Sequence, residues 1–338
     1  NFEKIAYQRE KALYNNMHVS SEAKYVPAKI TYRNTKMEVK LKLKGAHADH
    51  WIDENKWSLK VKVKNNHTID GMKIFSIMQS YSRGYIYEWI YQKLLEEEGF
   101  IHKRIKYVNV VINGKDNGIY ILEEEPSLEM LKYNDLPESP VLSFDKRLWT
   151  KESIKRSNHF SLHGNVDFYT FPIKSEISLD ENNKDLTFAI SLLNRFRDGS
   201  LKLEDVFEVD RIALFFATRA LLLSKEFDRK DIKFYLNPIT KKLEPIGGEI
   251  HFNGSRVGGW WINELPDYSG NKDLLQLFFK NPIFYKEYYS ALDRILKNNY
   301  LDDFFSKYGS ELKQKLNILN KEYFNKEIFN KGLIYSNQ

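Results

Sequence analysis

The chain has 338 residues, of which 42% are hydrophobic and 14% aromatic, enough to bury the core of one two-lobed domain or of two domains. Its 52 basic and 46 acidic residues leave a net charge of only +6, and without an arginine-rich run or a basic patch interleaved with aromatics the sequence predicts no nucleic-acid partner. The absence of cysteine excludes disulfides, thiolate zinc sites and a cysteine nucleophile, and no run of about 18 apolar residues is present that could span a membrane.

The first third of the chain alternates as antiparallel strands do, after a helical opening within residues 1–24. We predict strands over residues 26–32, 37–44 and 57–64, with a loop at 45–56. In the last two strands apolar side chains alternate with lysines, which gathers the lysines on one face. That face carries Lys40, Lys42, Lys44, Lys60, Lys62 and Lys64. On these residues alone, the row indicates no more than the solvated face of a sheet.

A helix and a hairpin come next. Residues 80–98 place apolar side chains at helical spacing, and Gly99 is a typical helix stop. Strands at 107–112 and 118–122 flank the sequence Asn-Gly-Lys-Asp-Asn, which is the strongest hairpin signal in the chain. This part of the sequence therefore predicts an antiparallel sheet with one helix.

Three glutamates, Glu123 to Glu125, and then Pro126 mark a predicted boundary between two lobes, at residues 1–125 and 126–338. The second part is mostly helical, so the fold class is α+β. Its predicted elements are a short strand at 140–144 within the loop-rich residues 138–180, helices at 185–197 and 209–223, a hairpin within 226–252, and two or three helices from 282 to the end.

Acidic residues stand at both ends of the predicted hairpin. Asp228 and Asp231 precede its first strand, and Glu249 follows its second strand after two glycines. Antiparallel pairing brings opposite ends of the sequence together, so we expect Asp231 and Glu249 to lie close to one another. Two carboxylates at one place repel unless a proton or a cation lies between them. On these residues alone, the simpler interpretation is a surface hairpin with solvated acids.

Several runs of this sequence resemble the CotH (spore coat protein H) kinase family over about residues 26–252. The most specific are Asn-Gly-x-x-x-Gly-x-Tyr at 113–120 and Asn-Pro-x-Thr-x-x-Leu-Glu-Pro-Ile at 237–246. The order of the predicted elements also fits. Further similar runs are Val-Lys-Leu-Lys-Leu-Lys-Gly at 39–45, Lys-Trp-Ser-Leu-Lys at 56–60, Gly-Met-Lys-Ile-Phe at 71–75 and Tyr-Glu-Trp at 87–89.

The resemblance implies an atypical protein-kinase-like fold with two lobes. Residues 1–125 would be the antiparallel-sheet N-lobe, and residues 126–338 the mostly helical C-lobe with the inserted hairpin. It further implies an ATP-dependent transferase that uses Mg²⁺ or Mn²⁺ and phosphorylates a hydroxyl group of a protein or a glycan. The compartment stays open, with an extracytoplasmic place, at a bacterial spore or cell surface, favoured over the cytoplasm. Because the first residue is Asn, the sequence leaves open what precedes it.

The resemblance also implies roles for residues of the first lobe. Lys60, together with Lys44 or Lys56, would neutralise the phosphates of ATP as mobile point charges. Glu88 on the predicted helix would pair with that lysine and hold it in place. Glu124 would lie near the adenine, where the chain passes between the lobes.

At the hairpin, the resemblance makes Asp228 the base that takes the proton of the acceptor hydroxyl. Asp231 and Glu249 would hold Mg²⁺, which prefers hard oxygen ligands. The family usually has Asn in place of Asp231, Asp in place of Glu249, and a second acid where His251 stands. Because reaction geometry is sensitive at about the 1 Å level, these departures leave two alternatives open. Either the metal is held differently, with His251 as a ligand or base, or catalysis is weakened or lost and the protein is a kinase-like scaffold or binding module.

Two smaller motifs carry other interpretations. His47, Asp49 and His50 have a spacing seen in zinc sites, although a hydrogen-bonded loop is the simpler interpretation. The aromatic pair Trp260-Trp261, if exposed, would suit stacking on a sugar in a glycan-associated surface protein, but core packing is the simpler interpretation.

Overall fold

The computed structural model describes residues 1–20, 22–145, 172–177, 179–180, 183–222, 232–250, 274–297 and 299–336. Within these ranges the chain forms a six-stranded and a four-stranded antiparallel sheet, with helices before, between and after them. The α+β class expected from the sequence is therefore confirmed.

The first sheet has the strand order β1-β2-β3-β4-β6-β5, and every neighbouring pair is antiparallel. A helix, α1 (Phe2–Tyr14), precedes it. The chain places β6 between β4 and β5, so β4 and β6 are neighbours although a helix and a strand separate them in sequence. The strands are β1 (Val26–Tyr32), β2 (Thr35–Leu43), β3 (Leu59–Val63), β4 (Ile74–Gln79), β5 (Ile105–Ile112) and β6 (Lys115–Glu124).

The register of β2 and β3 separates apolar and basic faces. Val39 lies opposite Val63, and Lys40 lies opposite Lys62. Because successive side chains of a strand point to opposite faces, the valines and leucines share one core, which also contains Trp51. The lysines lie on the other face, as the alternation predicts.

The lysine-bearing face continues across the sheet with a change of charge. Lys60 lies opposite Ser76 of β4, and Ser76 lies opposite Glu123 of β6. Two residues further along these strands, and so on the same face, Met78 and Ile121 belong to the core that contains the helix α2 (Tyr87–Glu97). The helix therefore packs on the same face that carries the lysines of β2 and β3.

Two differences from the predicted elements lie next to this helix. β4 has no apolar–polar alternation, since five of its six residues are buried, and for that reason the sequence did not reveal it. The predicted helix over 80–98 begins only at Tyr87, because Ser80–Arg83 forms a 3-10 turn and Gly84 and Tyr85 both take positive φ. The turn buries Arg83 completely.

The second sheet has the order β10-β9-β7-β8. The predicted hairpin is confirmed, with Leu243 opposite Leu236 and a turn closed by the Asn237 amide on the Lys242 carbonyl at 2.9 Å. Ile246 at its end forms a parallel bridge with Ile101, which follows α2. The strands are β7 (Val141–Phe144), β8 (Ile173–Ser175), β9 (Lys233–Leu236) and β10 (Leu243–Ile246).

The remaining helices lie in the second part of the chain, after the first sheet. Many of the aromatic residues form one core there, which includes Phe207, Phe216, Phe278 and Phe284. The helices are α3 (Leu128–Tyr133), α4 (Lys184–Arg197), α5 (Leu203–Val206), α6 (Val209–Ala220), α7 (Leu274–Phe279), α8 (Pro282–Ile295), α9 (Tyr300–Tyr323) and α10 (Lys331–Tyr335). In the described residues, no helix combines the length and the apolar character needed to cross a bilayer.

All six strands of the first sheet precede residue 125, and the second sheet follows it. The lobe boundary itself stays a prediction. The hydrophobic core that contains α2 also contains residues of β5, β6, β7 and β9, so the helix connects the two sheets.

Candidate functional site

Glu125 lies at the centre of a group of charged residues on the lysine-bearing face of the first sheet. Its carboxylate accepts from Lys44 Nζ at 2.7 Å and from Lys60 Nζ at 2.9 Å. The Ser76 hydroxyl donates to the same carboxylate at 2.5 Å. One acid just after β6 thus binds two lysines, one at the end of β2 and one from β3.

Glu123, two residues earlier, has its own pair of cations. Arg83 Nε donates to it at 2.8 Å and Lys103 Nζ at 2.6 Å. Arg83 comes from the turn after β4, and Lys103 from the segment between α2 and β5. All three side chains are almost completely buried, which requires that their charges be paired.

Glu249 links this group to the second sheet. It follows the hairpin, and its carboxylate lies 2.8 Å from Arg83 Nη2 and 3.6 Å from Lys44 Nζ. About a quarter of the Glu249 side chain, 26%, is exposed, so the contact lies at the edge of the buried group. The acid after the hairpin therefore faces the lysines of the first sheet.

The cations keep these three carboxylates ionised. Burial raises the pKa of Glu123, but Lys103 and then Arg83 outweigh it and lower the pKa to about 2. Burial acts in the same way on Glu125, and Lys44 and Lys60 hold its pKa well below the usual range. Desolvation likewise opposes ionisation of Glu249, yet Arg83 and Lys44 hold its pKa well below the ordinary value.

Glu88 of α2 is fully buried and differs from the other acids. It accepts a hydrogen bond from the Ile250 amide at 2.7 Å and one from Gln92 Nε2 at 2.9 Å. Burial, and secondly the negative charge of Glu123, raise its pKa to about 7. The expected ion pair between Glu88 and Lys60 is wrong, because the partner of Lys60 is Glu125 and Glu88 turns toward the segment after the hairpin.

Three further lysines of the same face surround one tyrosine. The Nζ atoms of Lys40, Lys42 and Lys62 lie 5.2–5.5 Å from the centre of the Tyr25 ring. Lys42 also donates to the Ser20 carbonyl at 2.5 Å. Burial, and then the charges of Lys60 and Lys62, lower the pKa of Lys42 to about 8. Within the described ranges none of these three ammonium groups forms an ion pair with a carboxylate.

The second sheet adds one cation and one acid. Burial, and then the charge of Lys103, lower the pKa of Lys233 at the start of β9. Glu176, just after β8, accepts from the Ser143 hydroxyl at 2.5 Å. Burial raises the pKa of Glu176, but Lys233 and Lys174 outweigh it and lower the pKa to about 2. Both sheets therefore contribute to one charged group.

Two of the predicted nucleotide-binding residues, Lys56 and Glu124, have their partners outside the charged group. Lys56 donates to Glu322 near the end of α9 and to the Ile119 carbonyl at 3.1 Å. Glu124 accepts from Arg104 Nε at 2.8 Å, on the face of β6 opposite to Glu123. Neither belongs to the charged group around Glu125. Their roles in binding a nucleotide stay predictions.

Asp228, Asp231 and His251 lie outside the described residues, as does Trp260-Trp261. The expected proximity of Asp231 and Glu249 therefore stays a prediction. No group of three or more His, Asp or Glu side chains arranged for a metal occurs in the part of the chain that the structure describes. In the loop weighed as a zinc site, His50 Nδ1 lies 3.0 Å from Ser58 Oγ and His50 Nε2 lies 3.7 Å from Asp49.

The sequence reasoning missed several members of the charged group. One signal was available: alternation along β6 puts Glu123 and the following Glu125 on the face of Lys60, and Glu124 on the other face. The remaining members come from segments without periodicity, so no local pattern marks them. The missed residues are Arg83, Lys103, Glu123, Glu125, Glu176 and Lys233.

A search of curated proteins found no match to this chain. Against known families, residues 41–332 match the family described as CotH kinase protein. The match includes both sheets except for β1 and the start of β2, and it includes every described member of the charged group. The chain therefore belongs to the CotH kinase family.

Proposed function

We propose that the protein is a two-lobed, kinase-like phosphotransferase that moves the γ-phosphate of ATP to a hydroxyl group of a protein or a glycan. The observation that carries this proposal is the contact of 3.6 Å between Glu249 and Lys44. A kinase has to hold a triphosphate and its cation at one place, between basic and acidic groups. Glu249 and Lys44 belong to the two parts of the chain that would supply these groups.

The basic side of the site fits a polyanion. Lys44 and Lys60 share the carboxylate of Glu125, and Lys44 also contacts Glu249. Lys40, Lys42 and Lys62 lie beside them without a carboxylate of their own in the described ranges. Burial, and then the charges of Lys60 and Lys62, lower the pKa of Lys42, so these neighbouring ammonium groups repel one another. The phosphates of ATP would relieve that repulsion, and an ammonium group is a suitable point charge for them.

The described residues alone do not make a metal site. Glu249 offers hard oxygens, but its carboxylate is held by Arg83 and Lys44. Asp231 is the other ligand that the family resemblance implies, and His251, which stands where the family usually has an acid, is the alternative ligand. A bound Mg²⁺ or Mn²⁺ would neutralise charge on the β- and γ-phosphates.

Phosphoryl transfer depends mainly on positioning and charge neutralisation by the protein, and less on covalent steps. In the proposed reaction the acceptor oxygen forms a bond to the γ-phosphorus, the bond from that phosphorus to the leaving oxygen of ADP breaks, and Asp228 takes the proton of the hydroxyl. Lys44 and Lys60 would compensate the negative charge of the phosphates. Arg83 and Lys103 keep Glu123 and Glu249 ionised next to them.

ATP consumption with Mg²⁺ or Mn²⁺ tests the proposal. We expect turnover by the wild type and a loss of about 100-fold or more in Asp228→Ala, since a general base contributes on that order. Asp293→Ala, at an exposed position of α8, is the matched control and should keep the wild-type rate. Equal background rates in the wild type and Asp228→Ala would refute the enzyme. A thermal shift with ATP but without turnover would indicate the kinase-like scaffold instead.

A further inference from the structure

The segment 247–250, which follows the hairpin, runs in close contact with α2. The Ile250 amide donates to Glu88 Oε2 at 2.7 Å, and Gln92 Nε2 donates to the Gly248 carbonyl at 3.3 Å. Gln92 Nε2 also donates to Glu88 Oε1 at 2.9 Å, so the two helix side chains support one another. Glu88 and Gln92 are one turn apart, lie on the same side of the helix, and are buried.

The close approach depends on a glycine. A Cβ atom at Gly247 would overlap Leu95 Cδ1 and would lie 3.1 Å from Gln92 Oε1. The Gly247 amide donates to the Ile101 carbonyl at 3.0 Å, which continues the bridge between Ile246 and Ile101. A residue with a Cβ atom fits against α2 at this position only if the Leu95 side chain or the segment moves.

Contacts on the other sides of the segment orient Glu249. Arg219 of α6 donates to the Glu249 carbonyl at 3.0 Å, and Arg83 and Lys44 face its carboxylate. Glu249 is thus held by its own side chain, by its backbone oxygen, and through its neighbours Gly248 and Ile250. The direction of its side chain depends on where the helix holds the backbone.

We infer that Glu88 and Gln92 are positioning residues that fix the backbone of the segment 247–250 to α2 and so aim the carboxylate of Glu249 at Lys44 and Arg83. Glu88 then acts on the site without pairing with a lysine, since Glu125 already holds Lys60. A shift of α2 would move Glu249 directly. The inference deepens the proposed function and rests on it only where turnover is measured.

Amide hydrogen exchange tests the positioning without any activity. Nuclear magnetic resonance on protein labelled at glycine and isoleucine amides would follow Gly247 and Ile250 separately. In Glu88→Leu we expect both amides to exchange about 10- to 100-fold faster, because the hydrogen bond from the Ile250 amide to the Glu88 carboxyl group is lost and the whole segment is released. The Gly247 amide is the decisive probe, since its bond to Ile101 is not touched by the substitution.

Three further variants keep the test sharp. Gln92→Leu should also speed exchange at Gly247, whereas Glu88→Gln keeps an acceptor oxygen and should restore most of the protection. Gly247→Ala crowds Leu95 and Gln92 without replacing either positioning residue; because this variant lacks the Gly247 amide, it is followed at the Ile250 amide, which should exchange faster as in Glu88→Leu. Its control is Gly309→Ala on α9, where a Cβ atom meets nothing within 4 Å. In Glu88→Leu, faster exchange at the Ile250 amide with unchanged exchange at the Gly247 amide would overturn the inference.

Steady-state kinetics gives the second readout. We expect Glu88→Leu and Gly247→Ala to lower kcat about 10-fold or more while the KM for ATP changes little, because Lys60 keeps its partner Glu125 and only Glu249 moves. A rise in KM with unchanged kcat would contradict this. If the wild type has no turnover at all, the proposed function fails, whereas the exchange measurements still decide on the positioning role.

Discussion

Lys60 and Glu125 form an ion pair of 2.9 Å on the lysine-bearing face of the first sheet, although 65 residues separate them in the chain. Lys44 reaches the same carboxylate at 2.7 Å. Burial by itself lowers the pKa of Lys60 and raises that of Glu125. The opposite charges outweigh burial, so the pKa of Lys60 is raised and that of Glu125 is lowered. Glu125 is therefore the acid that keeps two basic side chains of the site together.

We expect Glu125→Gln to lower the free energy of unfolding by about 3 kcal/mol, the cost of leaving one side of a buried ion pair without its partner. Lys60 loses its carboxylate, and the ammonium groups of Lys44 and Lys60 then face a neutral amide. Unfolding in urea at pH 7 measures the change.

The matched control for Glu125 is Glu138→Gln, at an exposed position that forms no ion pair with any residue in the described part of the chain. Its effect should stay within about 0.5 kcal/mol. A similar small effect for both variants would show that the carboxylate of Glu125 contributes little to stability.

Lys60 and Lys56 are four residues apart in the chain, but we expect only Lys60 to contribute to nucleotide binding. Lys60 belongs to the charged group around Glu125, whereas Lys56 is bound to Glu322 of α9. At about 100 times its dissociation constant, ATP with Mg²⁺ should stabilise the wild type by roughly 2.7 kcal/mol. Lys60→Met should weaken binding about 10-fold and so lose about half of that gain.

Lys56→Met serves as the comparison for Lys60→Met. It should lower the stability of the protein without nucleotide, because the contact with α9 is lost, but it should keep the full gain on adding ATP. Thermal unfolding with and without nucleotide gives both numbers. Equal loss of the ATP effect in the two variants would indicate that Lys56 also binds phosphate.

Local periodicity predicted the elements that depend on local sequence. The bounds of β1 agree with the prediction at 26–32, and the Asn-Pro-x-Thr run correctly marks the turn between β9 and β10. β4 was not found because it is buried on both faces and carries no alternation. The helix after it starts late, since positive φ at Gly84 and Tyr85 delays its first turn.

The site could be predicted only in part, because its pairs depend on which strands become neighbours. The lysine face follows from alternation within β2 and β3. The partner of Lys60 follows from the insertion of β6 between β4 and β5, which no local pattern indicates. Alternation along β6, continued one residue past its end, places Glu125 and not Glu124 on the face of Lys60. Arg83 is held by the 3-10 turn before α2, which likewise has no period.

Two glycines of the β5–β6 hairpin allow a matched test of how α9 is attached to the first sheet. Both Gly114 and Gly118 have positive φ, but a Cβ atom at Gly114 meets nothing within 4 Å, whereas one at Gly118 would overlap the carboxylate of Glu322. That carboxylate accepts from Lys56 and from the Ile119 amide. Gly118→Ala should therefore displace Glu322 from both donors.

We expect Gly114→Ala to cost about 1 kcal/mol for the positive φ alone. Gly118→Ala should cost about 1.5–3 kcal/mol more, because a hydrogen-bonded charge is displaced in addition. Urea unfolding of both variants gives the difference. If Glu322→Ala removes the difference between the two glycine variants, the displaced carboxylate is its cause; a difference that persists would point to the backbone.

We expect two opposite effects of pH on the free energy of unfolding, one from Glu123 and Glu176 and one from Glu88. Glu123 and Glu176 have pKa values lowered to about 2, so they contribute stability above the ordinary carboxyl range that is lost as the pH falls from about 4.5 toward 2. Glu88 behaves in the opposite way. Its pKa is raised to about 7, so its contribution is fully present below about pH 4.5 and is lost as the pH rises through 7.

Glu88→Gln isolates the second part. As the pH rises, the wild type has to ionise a buried carboxyl group, whereas the variant does not. The free energy of unfolding of the variant should therefore rise relative to that of the wild type between pH 5 and 8, by up to about 3 kcal/mol. Urea unfolding of both proteins at matched pH values follows this difference, and Glu138→Gln, at an exposed position, should show none. A difference between Glu88→Gln and the wild type that stays constant over this range would mean that the pKa of Glu88 is not raised in the folded protein.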